Sequence, residues 1–173
     1  MVIWITGMSG TGKSTLASAV VKKAAANCSA GVILVDGDVL REVWGGDLGY
    51  SEEDRKINMG RMSRLCRFLH QQKAHVVAAV IAPFQETRDW NRANISDYYE
   101  VYIESSIDHL VERDPKGHYK RALAGESCLP GVNQIYERPS QADLIINNNG
   151  GLEEFLAYAD SLAALISSKV PAK

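Results

Sequence analysis

The segment Gly7-Met8-Ser9-Gly10-Thr11-Gly12-Lys13-Ser14-Thr15 fits the pattern G-x-x-x-x-G-K-[ST] at every fixed position. An apolar run, Val2 to Thr6, precedes it, and a helix-like run, Leu16 to Val21, follows it. Glycines let the backbone turn so that successive N–H groups point at phosphate oxygens, and the N-terminus of the following helix adds positive potential. A plain turn would not require Lys-Ser-Thr at the helix start. The segment therefore predicts a phosphate-binding loop.

Two side chains at the end of this segment have the chemistry of phosphoryl transfer. Lys13 supplies a mobile positive charge for the β- and γ-phosphates of a nucleotide, and the Ser14 hydroxyl can ligate Mg²⁺. The pattern is short, but its place between a buried strand and a helix is the context that this chemistry requires. We therefore expect a nucleotide and Mg²⁺ at this loop.

Length and composition limit the class of protein. The chain has 173 residues, 46% of them hydrophobic and 23% charged, which is ordinary for one globular α/β domain spanning residues 1–173. No apolar run approaches the ~20 residues that cross a membrane, and Met1 leads into a strand without a signal-peptide pattern. We expect a cytoplasmic protein without a membrane partner.

Charge and cysteine content indicate small ligands. The net charge of −2 argues against a broad nucleic-acid surface, so we expect positive charge to act locally on small anions. Cys28, Cys66 and Cys128 lack the spacing of metal ligands. An odd number of cysteines in a reducing compartment favours free thiols.

Apolar runs recur along the chain with helical patterns between them. The runs are Val2 to Thr6, Val32 to Asp36, His75 to Ile81, Tyr99 to Ile103 and Leu144 to Ile146. Most are continuously apolar, as in strands covered on both faces, and the alternation predicts right-handed β-α-β crossovers. The expected fold is a doubly wound α/β domain with a parallel sheet of about five strands and helices on both faces. Active sites in such sheets lie beyond the carboxyl ends of the strands.

Two carboxylates follow the second predicted strand. Asp36-Gly37-Asp38 stands where it can reach Mg²⁺ or a substrate hydroxyl. The same residues also suit a surface turn that caps the next helix. Because a phosphate-binding loop is expected beside them, the functional interpretation is favoured.

Two helices are predicted from their patterns. One begins at Ser51, where Ser51-x-x-Asp54 resembles a capping box. Its expected buried face is Met62, Leu65, Cys66 and Leu69. Arg55 and Asn58 near its start could face a cleft, which their spacing does not decide. The last helix has one apolar face, for which we expect packing only: Leu152, Phe155, Ala159, Leu162 and Ile166.

Two further regions follow predicted strands. Phe84 is either a core residue, the better default, or a platform for a base. The segment 113–135 is polar and basic, and Pro115, Gly117 and Pro130 interrupt it, which predicts a lid that closes over phosphates. An ordinary solvated loop is the alternative for this segment.

Together these segments resemble the adenylylsulfate kinase (APS kinase) family, which phosphorylates the 3′-hydroxyl of adenosine 5′-phosphosulfate (APS). The resemblance runs from Val2 to Ile146. The matching stretches are Gly7 to Thr15, Asp36 to Asp38 with Arg41, Asp47 to Ser51 with Asp54, Arg55 and Asn58, Ile81 to Phe84 with Arg88, Arg113 to Gly117 with Tyr119 and Lys120, and Tyr136 to Pro139. It implies a fold like that of nucleoside monophosphate kinases, Mg·ATP as donor, a mobile lid and a homodimer.

The resemblance also implies roles for individual residues. Asp38 is expected to act as the base at the acceptor hydroxyl, with Lys13 as the second catalytic residue. Ser14 is expected to ligate Mg²⁺, with Asp36 as a further candidate. The residues implied to bind ATP are Gly7, Ser9, Gly10, Thr11, Gly12, Lys13, Ser14, Thr15 and Arg113. The residues implied to bind the acceptor are Asp36, Arg41, Tyr50, Arg55, Asn58, Ile81, Phe84, Lys116 and Leu129.

Three positions depart from the family pattern. Leu129-Pro130-Gly131 stands where family members usually carry Phe-Thr-Gly, whose ring stacks on the adenine of the acceptor, and Tyr50 and Gln85 replace a Phe and an Arg. The alternative function is therefore a homologous kinase for another nucleotide 5′-conjugate, such as a cytidine diphosphate derivative in surface-polysaccharide modification. A nucleotide-binding protein without catalysis is a third possibility, against which the retained phosphate-loop lysine counts.

Overall fold

The computed structural model describes residues 1–27, 31–114 and 116–169; Cys28, expected to be a free thiol, and Pro115 lie outside these ranges. The strands are β1 (Val2–Thr6), β2 (Val32–Asp36), β3 (His75–Val80), β4 (Tyr98–Glu104) and β5 (Leu144–Asn147). The helices of the described ranges are α1 (Lys13–Asn27), α2 (Gly37–Val43), α3 (Glu52–Gln71), α4 (Gln85–Asn94), α5 (Ile107–Arg113), α6 (His118–Leu123) and α7 (Leu152–Ser168).

The strands form one parallel sheet in the order β2-β3-β1-β4-β5. Every predicted strand is present, with ends that differ by at most one residue, so the expected doubly wound fold is confirmed. The order changes direction at β1, which has β3 on one side and β4 on the other. Thr6 at the end of β1 lies beside Val80 and Tyr102. The loops after these three strands therefore meet at one edge, where ligands bind in such sheets.

Helices cover both faces of the sheet, and β1 contributes to both cores. Ile3 and Ile5 pack with α1 and α7, whereas Val2 and Trp4 pack with α3. Every residue of β1 is buried, which explains its continuously apolar sequence. Full burial of each large apolar side chain is worth roughly 1.5–3 kcal/mol, so these two layers supply the main stabilisation.

The predicted apolar face of α7 is confirmed except at its first residue. The buried members of that face are Phe155, Ala159, Leu162 and Ile166. Leu152 is 64% exposed, so the expectation that it packs in the core was wrong. It begins the helix at the edge of the sheet, where its side chain lines a surface pocket beside the phosphate loop.

The predicted start of α3 is also confirmed. Ser51 Oγ accepts a hydrogen bond of 3.1 Å from the backbone N–H of Asp54, which satisfies a donor in the first turn. The predicted face of α3 is buried or half-buried at Met62, Leu65, Cys66 and Leu69.

The segment predicted as a lid contains α6 and packs through a small apolar cluster. Helix α6 begins after Gly117, whose φ of 64° lies in the left-handed region. The buried residues of this lid cluster are Leu110 of α5 and Tyr119, Ala122 and Leu129 of the segment, with Met8 of the phosphate loop and Val132 packed against them. The cluster therefore joins the segment to α5 and to the phosphate loop. Mobility of the lid stays a prediction.

Two expectations about composition can be checked on the described residues. Cys66 is buried and Cys128 is exposed, and both are free thiols. Of the helices that the structure describes, none is long and apolar enough to cross a membrane.

A buried arginine holds the corner between β3 and α4. Ala82 has a φ of 40°, which residues with a side chain rarely adopt, and its carbonyl accepts a hydrogen bond of 2.6 Å from Arg88. Arg88 is 1% exposed and also donates to the Glu137 carbonyl at 2.8 Å. Its Nε lies 3.5 Å from Oε1 of the buried Glu100. Arg88 therefore ties three segments of the active-site edge together.

We expect Arg88→Ala to lower the free energy of unfolding by about 3–5 kcal/mol, because it removes the buried cation beside Glu100, which keeps only Arg92 as a cationic partner at 3.6 Å among the described residues, and leaves the Ala82 and Glu137 carbonyls without this donor. Urea denaturation measures the change. The control Arg67→Ala lies on the exposed side of α3 and should cost less than about 0.5 kcal/mol. Equal stabilities of the two variants would show that the network does not stabilise the corner.

Candidate active site

The phosphate loop, residues 7–15, is held in shape by donors from other elements. The Ser9 carbonyl accepts a hydrogen bond of 2.8 Å from the Tyr119 hydroxyl of α6. The Thr11 carbonyl accepts one of 3.0 Å from Nδ2 of Asn148, which follows β5. In a trans peptide the C=O and N–H groups point in opposite directions. Each fixed carbonyl therefore turns the next N–H to the other side, where the loop can bind phosphate.

Both fixed glycines of the motif are required by close backbone approach. At Gly12, with φ 96°, a Cβ atom would lie 2.9 Å from the Phe155 ring. At Gly7 it would lie 2.5 Å from the carbonyl oxygen of Ile103. The loop thus packs directly against α7 and β4, and no larger residue fits at either position.

Lys13 lies in the loop with its charge weakly compensated. Its ammonium group donates a hydrogen bond of 2.7 Å to the Met8 carbonyl. Burial lowers the pKa of Lys13 to about 8, while Asp38 and Asp36 raise it and Lys116 lowers it. A bound phosphate would favour the charged form, so the lysine is suited to an anionic ligand.

Two oxygen-bearing side chains beside Lys13, Ser14 and Asp36, are suitable ligands for a magnesium ion. Ser14 Oγ donates a hydrogen bond of 2.6 Å to Asp36 Oδ2, and Asp36 Oδ1 accepts one from the N–H of Asp38 at 2.9 Å. Asp36 therefore caps α2, as one interpretation predicted, and also faces the loop, as the other did. The described residues contain no cluster of three or more His, Cys, Asp or Glu side chains that could hold a metal. Mg²⁺ often takes few protein ligands and completes its shell with phosphate oxygens and water.

Asp38 stands one residue into α2 and points into open space. Its side chain is 77% exposed, and its Oδ2 lies 3.7 Å from Lys116 Nζ of the lid segment. Asp38 also influences the pKa of Lys13, which places it on the same side of the site. An exposed carboxylate between two lysines can approach a substrate hydroxyl near the phosphate loop.

A pocket of about 230 Å³ adjoins the other side of the phosphate loop. The predicted nucleotide-binding residues Gly10, Gly12, Thr15 and Arg113 line it. Its remaining lining residues were not predicted from the sequence; they are Asn148, Gly150, Leu152 and Phe155. Arg113 donates to the carbonyls of Asn148 and Gly150 at 3.3 and 3.4 Å. The polar Asn-Asn-Asn-Gly-Gly run, residues 147–151, at the carboxyl end of a predicted strand was a signal for this wall of the pocket.

Three predicted acceptor-binding residues lie together on the α3 side. The guanidinium carbons of Arg41 and Arg55 lie 4.6 and 5.3 Å from the ring centre of Tyr50. Arg41 donates to the carbonyls of Leu48 and Gly49 at 3.3 and 2.9 Å. Burial lowers the pKa of Arg55, and the nearby Arg41 lowers it further. Two cations at one exposed aromatic ring form a site for an anionic ligand.

The remaining predicted acceptor residues differ in what they offer. Asn58 is 1% exposed, and its Oδ1 lacks a hydrogen-bond partner among the described residues, which leaves a buried acceptor for a ligand donor. Phe84 is 6% exposed with Lys56 Nζ 5.1 Å from its ring centre, which favours packing over a base platform. The Ile81 carbonyl accepts a hydrogen bond of 2.6 Å from Thr6 and completes the edge after β3.

Leu129 lies inside the lid cluster. It is 6% exposed and packs with Leu110, Tyr119 and Ala122. Little of its side chain is free to cover a base, so its placement favours a packing role in the lid over the predicted acceptor contact.

The active-site cations differ from the structural arginines in their partners. Within the described ranges, hydrogen bonds from Lys13, Arg41, Arg55 and Arg113 go to uncharged oxygens. Carboxylates instead pair with Arg61, Arg88, Arg92 and Arg138. The charge of the first group is therefore available to ligands.

The parallel sheet, the phosphate loop and these cations define a P-loop kinase. A family model described as adenylylsulphate kinase matches residues 1–147. The chain therefore belongs to the adenylylsulphate kinase family, whose members phosphorylate a hydroxyl group.

Three known proteins illustrate the similarity. A probable adenylyl-sulfate kinase of Bacillus subtilis is 38% identical over 172 residues, which are 98% of this chain and 86% of that protein. A cytidine diphosphoramidate kinase of Campylobacter jejuni is 38% identical over 159 residues, 88% of this chain and 90% of that one. The structure of a Mycobacterium tuberculosis APS kinase in complex with AMPPNP and APS has a TM-score of 0.83 at 32% identity, covering 94% of this chain and 96% of that chain.

The pKa of Lys13 leads to a prediction about proton uptake. With a pKa of about 8 in the free protein, Lys13 is mostly neutral at pH 8.5, and bound phosphate should recharge it. Binding of MgADP should therefore take up protons at pH 8.5, and affinity should fall as pH rises above about 8. Calorimetric titrations in two buffers of different ionisation enthalpy measure the uptake. Lys13→Arg stays charged and should abolish it; equal uptake in both proteins would contradict the assignment.

Proposed function

We propose that this chain transfers the γ-phosphate of ATP to the 3′-hydroxyl of APS, giving 3′-phosphoadenosine 5′-phosphosulfate. The observation that carries the proposal is one edge of the sheet that holds a phosphate loop, the exposed Asp38 and the cationic pair Arg41 and Arg55. Membership of the adenylylsulphate kinase family and the similarity to a structure with AMPPNP and APS support the choice of substrates.

Different residues of this edge bind the phosphate donor and the acceptor. The loop N–H groups and Lys13 bind the donor phosphates, and Arg113 and the β5–α7 loop form the nucleotide pocket. Ser14 and Asp36 would hold Mg²⁺, which supplies charge neutralisation at the β- and γ-phosphates when bound. Arg41, Arg55 and Asn58 bind the acceptor, Lys116 reaches over from the lid, and Asp38 accepts the proton of the attacking hydroxyl.

Asp38 should be needed for turnover but not for donor binding. Asp38→Asn is expected to lower kcat by roughly 10²- to 10⁴-fold, as for a general base, with the Kd of MgADP within about twofold of wild type. Steady-state rates give kcat, and calorimetry gives the Kd of MgADP. Asp108→Asn, an exposed change on α5, is the control. Loss of MgADP binding in Asp38→Asn would instead make Asp38 a metal ligand.

A kinase for a cytidine diphosphate conjugate is the second candidate. Burial of Leu129 in the lid cluster favours it, because the lid then lacks the aromatic platform that family members offer to adenine. The relative from Campylobacter jejuni, a cytidine diphosphoramidate kinase, has the same percentage identity as the adenylyl-sulfate kinase relative, over a smaller share of this chain.

An acceptor screen separates the two candidates. Initial rates of ADP formation with APS, AMP, CDP and cytidine diphosphoramidate at saturating MgATP should be highest with APS. Leu129→Phe should change the KM for APS by less than about threefold, because position 129 packs within the lid. Turnover of a cytidine conjugate without turnover of APS would overturn the first candidate in favour of the second.

The homodimer and the cytoplasmic location that the sequence analysis predicted remain part of this proposal. A cytoplasmic kinase has access to ATP, and the resemblance to the APS kinase family supports the homodimer. Light scattering of the purified protein gives the number of subunits.

A further inference from the structure

Arg55 is a buried cation whose hydrogen-bond partners are all uncharged. It is 7% exposed, and its Nε donates to Gln134 Oε1 at 2.9 Å and to the Tyr50 carbonyl at 3.2 Å. Its NH2 group donates to the Cys128 carbonyl at 3.1 Å. Across the described ranges, no carboxylate lies within 4.0 Å of this guanidinium. A buried charge without a counter-ion is costly, so an anionic ligand is the natural partner.

Gln134 is the side chain that holds Arg55, and its own orientation is fixed. Its Nε2 donates to the Tyr50 carbonyl at 2.8 Å, which turns Oε1 toward Arg55. Its backbone carbonyl accepts a hydrogen bond of 2.9 Å from Gly131. The amide therefore links the turn after the lid cluster to the start of α3.

The chemical type of residue 134 decides how much of the Arg55 charge a ligand can use. Elsewhere in the chain a carboxylate binds the arginine, as Asp47 does with Arg61, and raises the pKa of that arginine. Glutamate at position 134 would have nearly the same shape as glutamine and would place a negative charge at hydrogen-bond distance from Arg55. An amide supplies the same hydrogen bond without neutralising the cation.

We propose that Gln134 is a positioning residue for the acceptor: its neutral amide orients Arg55 and leaves the positive charge to the anionic 5′ group of a nucleotide. This inference rests on the proposed function for its acceptor site, but it does not depend on whether the base is adenine or cytosine. In this role, residue 134 influences acceptor affinity through Arg55, without contacting the acceptor itself.

Two substitutions separate the proposed role from a purely structural one. Gln134→Glu keeps the hydrogen bond to Arg55 and neutralises its charge, but it loses the hydrogen bond that Nε2 donates to the Tyr50 carbonyl. Gln134→Leu removes both side-chain hydrogen bonds and keeps the charge. If Gln134 only stabilises the fold, acceptor binding should weaken in step with the loss of melting temperature in both variants. If it acts as proposed, Glu should weaken acceptor binding more than Leu does, and more than its change in melting temperature accounts for.

The test measures KM for APS and for MgATP, the Kd of APS and CDP by calorimetry, and the melting temperature. Gln134→Glu should raise the KM or Kd for the acceptor at least about 10-fold and leave the KM for MgATP within about twofold. Gln134→Leu should raise it less. The control Gln71→Glu makes the same charge change at the far end of α3, about 24 Å from Arg55, and should alter neither constant.

Each outcome decides between the two proposals. Acceptor affinity that is unchanged in Gln134→Glu, or reduced more in Gln134→Leu, overturns the role of Gln134 and leaves the proposed function intact. If wild type binds CDP and not APS, the proposed substrate is wrong, and the comparison with CDP decides the role of Gln134. If wild type binds neither nucleotide, both proposals are overturned.

Discussion

Cations held by uncharged oxygens are the feature on which the active-site edge depends. Lys13 and Arg55 are each fixed by carbonyl or amide oxygens in the described part of the chain, which set position without supplying a counter-charge. Removing a charge from water without a partner is unfavourable, and the lowered pKa values of both groups reflect that burial. In the free protein, other interactions of the fold must offset the free energy of burying these charges. In the proposed function, anionic substrates would then provide the missing counter-charge. The same arrangement would make binding of an anionic nucleotide at this edge favourable.

The surrounding structure comprises a hydrogen-bonded edge of the sheet and the segment predicted as a lid. Arg88 donates a hydrogen bond to the Ala82 carbonyl and lies beside the buried Glu100, which fixes the corner after β3. The lid cluster is small, and it contacts the phosphate loop through the Tyr119 hydroxyl and through Met8. Opening of the predicted lid would break both contacts, so its position would be coupled to that of the phosphate loop.

Local sequence patterns were enough for the fold and for part of the site. The phosphate loop and five strands were predicted because each depends on neighbouring residues: glycine and lysine spacing in the loop, and apolar runs in strands buried on both faces. Two partners of Arg55, Cys128 and Gln134, lie more than 70 residues away in sequence, and the packing of Leu129 depends on how α5 and α6 come together, neither of which a local pattern encodes. Leu152 fits the apolar periodicity of α7 and is nevertheless exposed. Periodicity identifies one face of a helix, but it does not show which of its turns lie over the sheet.

A crystal structure of the protein with MgADP and APS tests the central claim most directly. In this complex we expect the β-phosphate to contact Lys13 and the loop N–H groups, and the phosphosulfate of APS to contact Arg41 and Arg55. We also expect Gln134 Oε1 to keep its hydrogen bond to Arg55. An acceptor bound away from both guanidinium groups, with their hydrogen bonds still made only to protein oxygens, would contradict that claim.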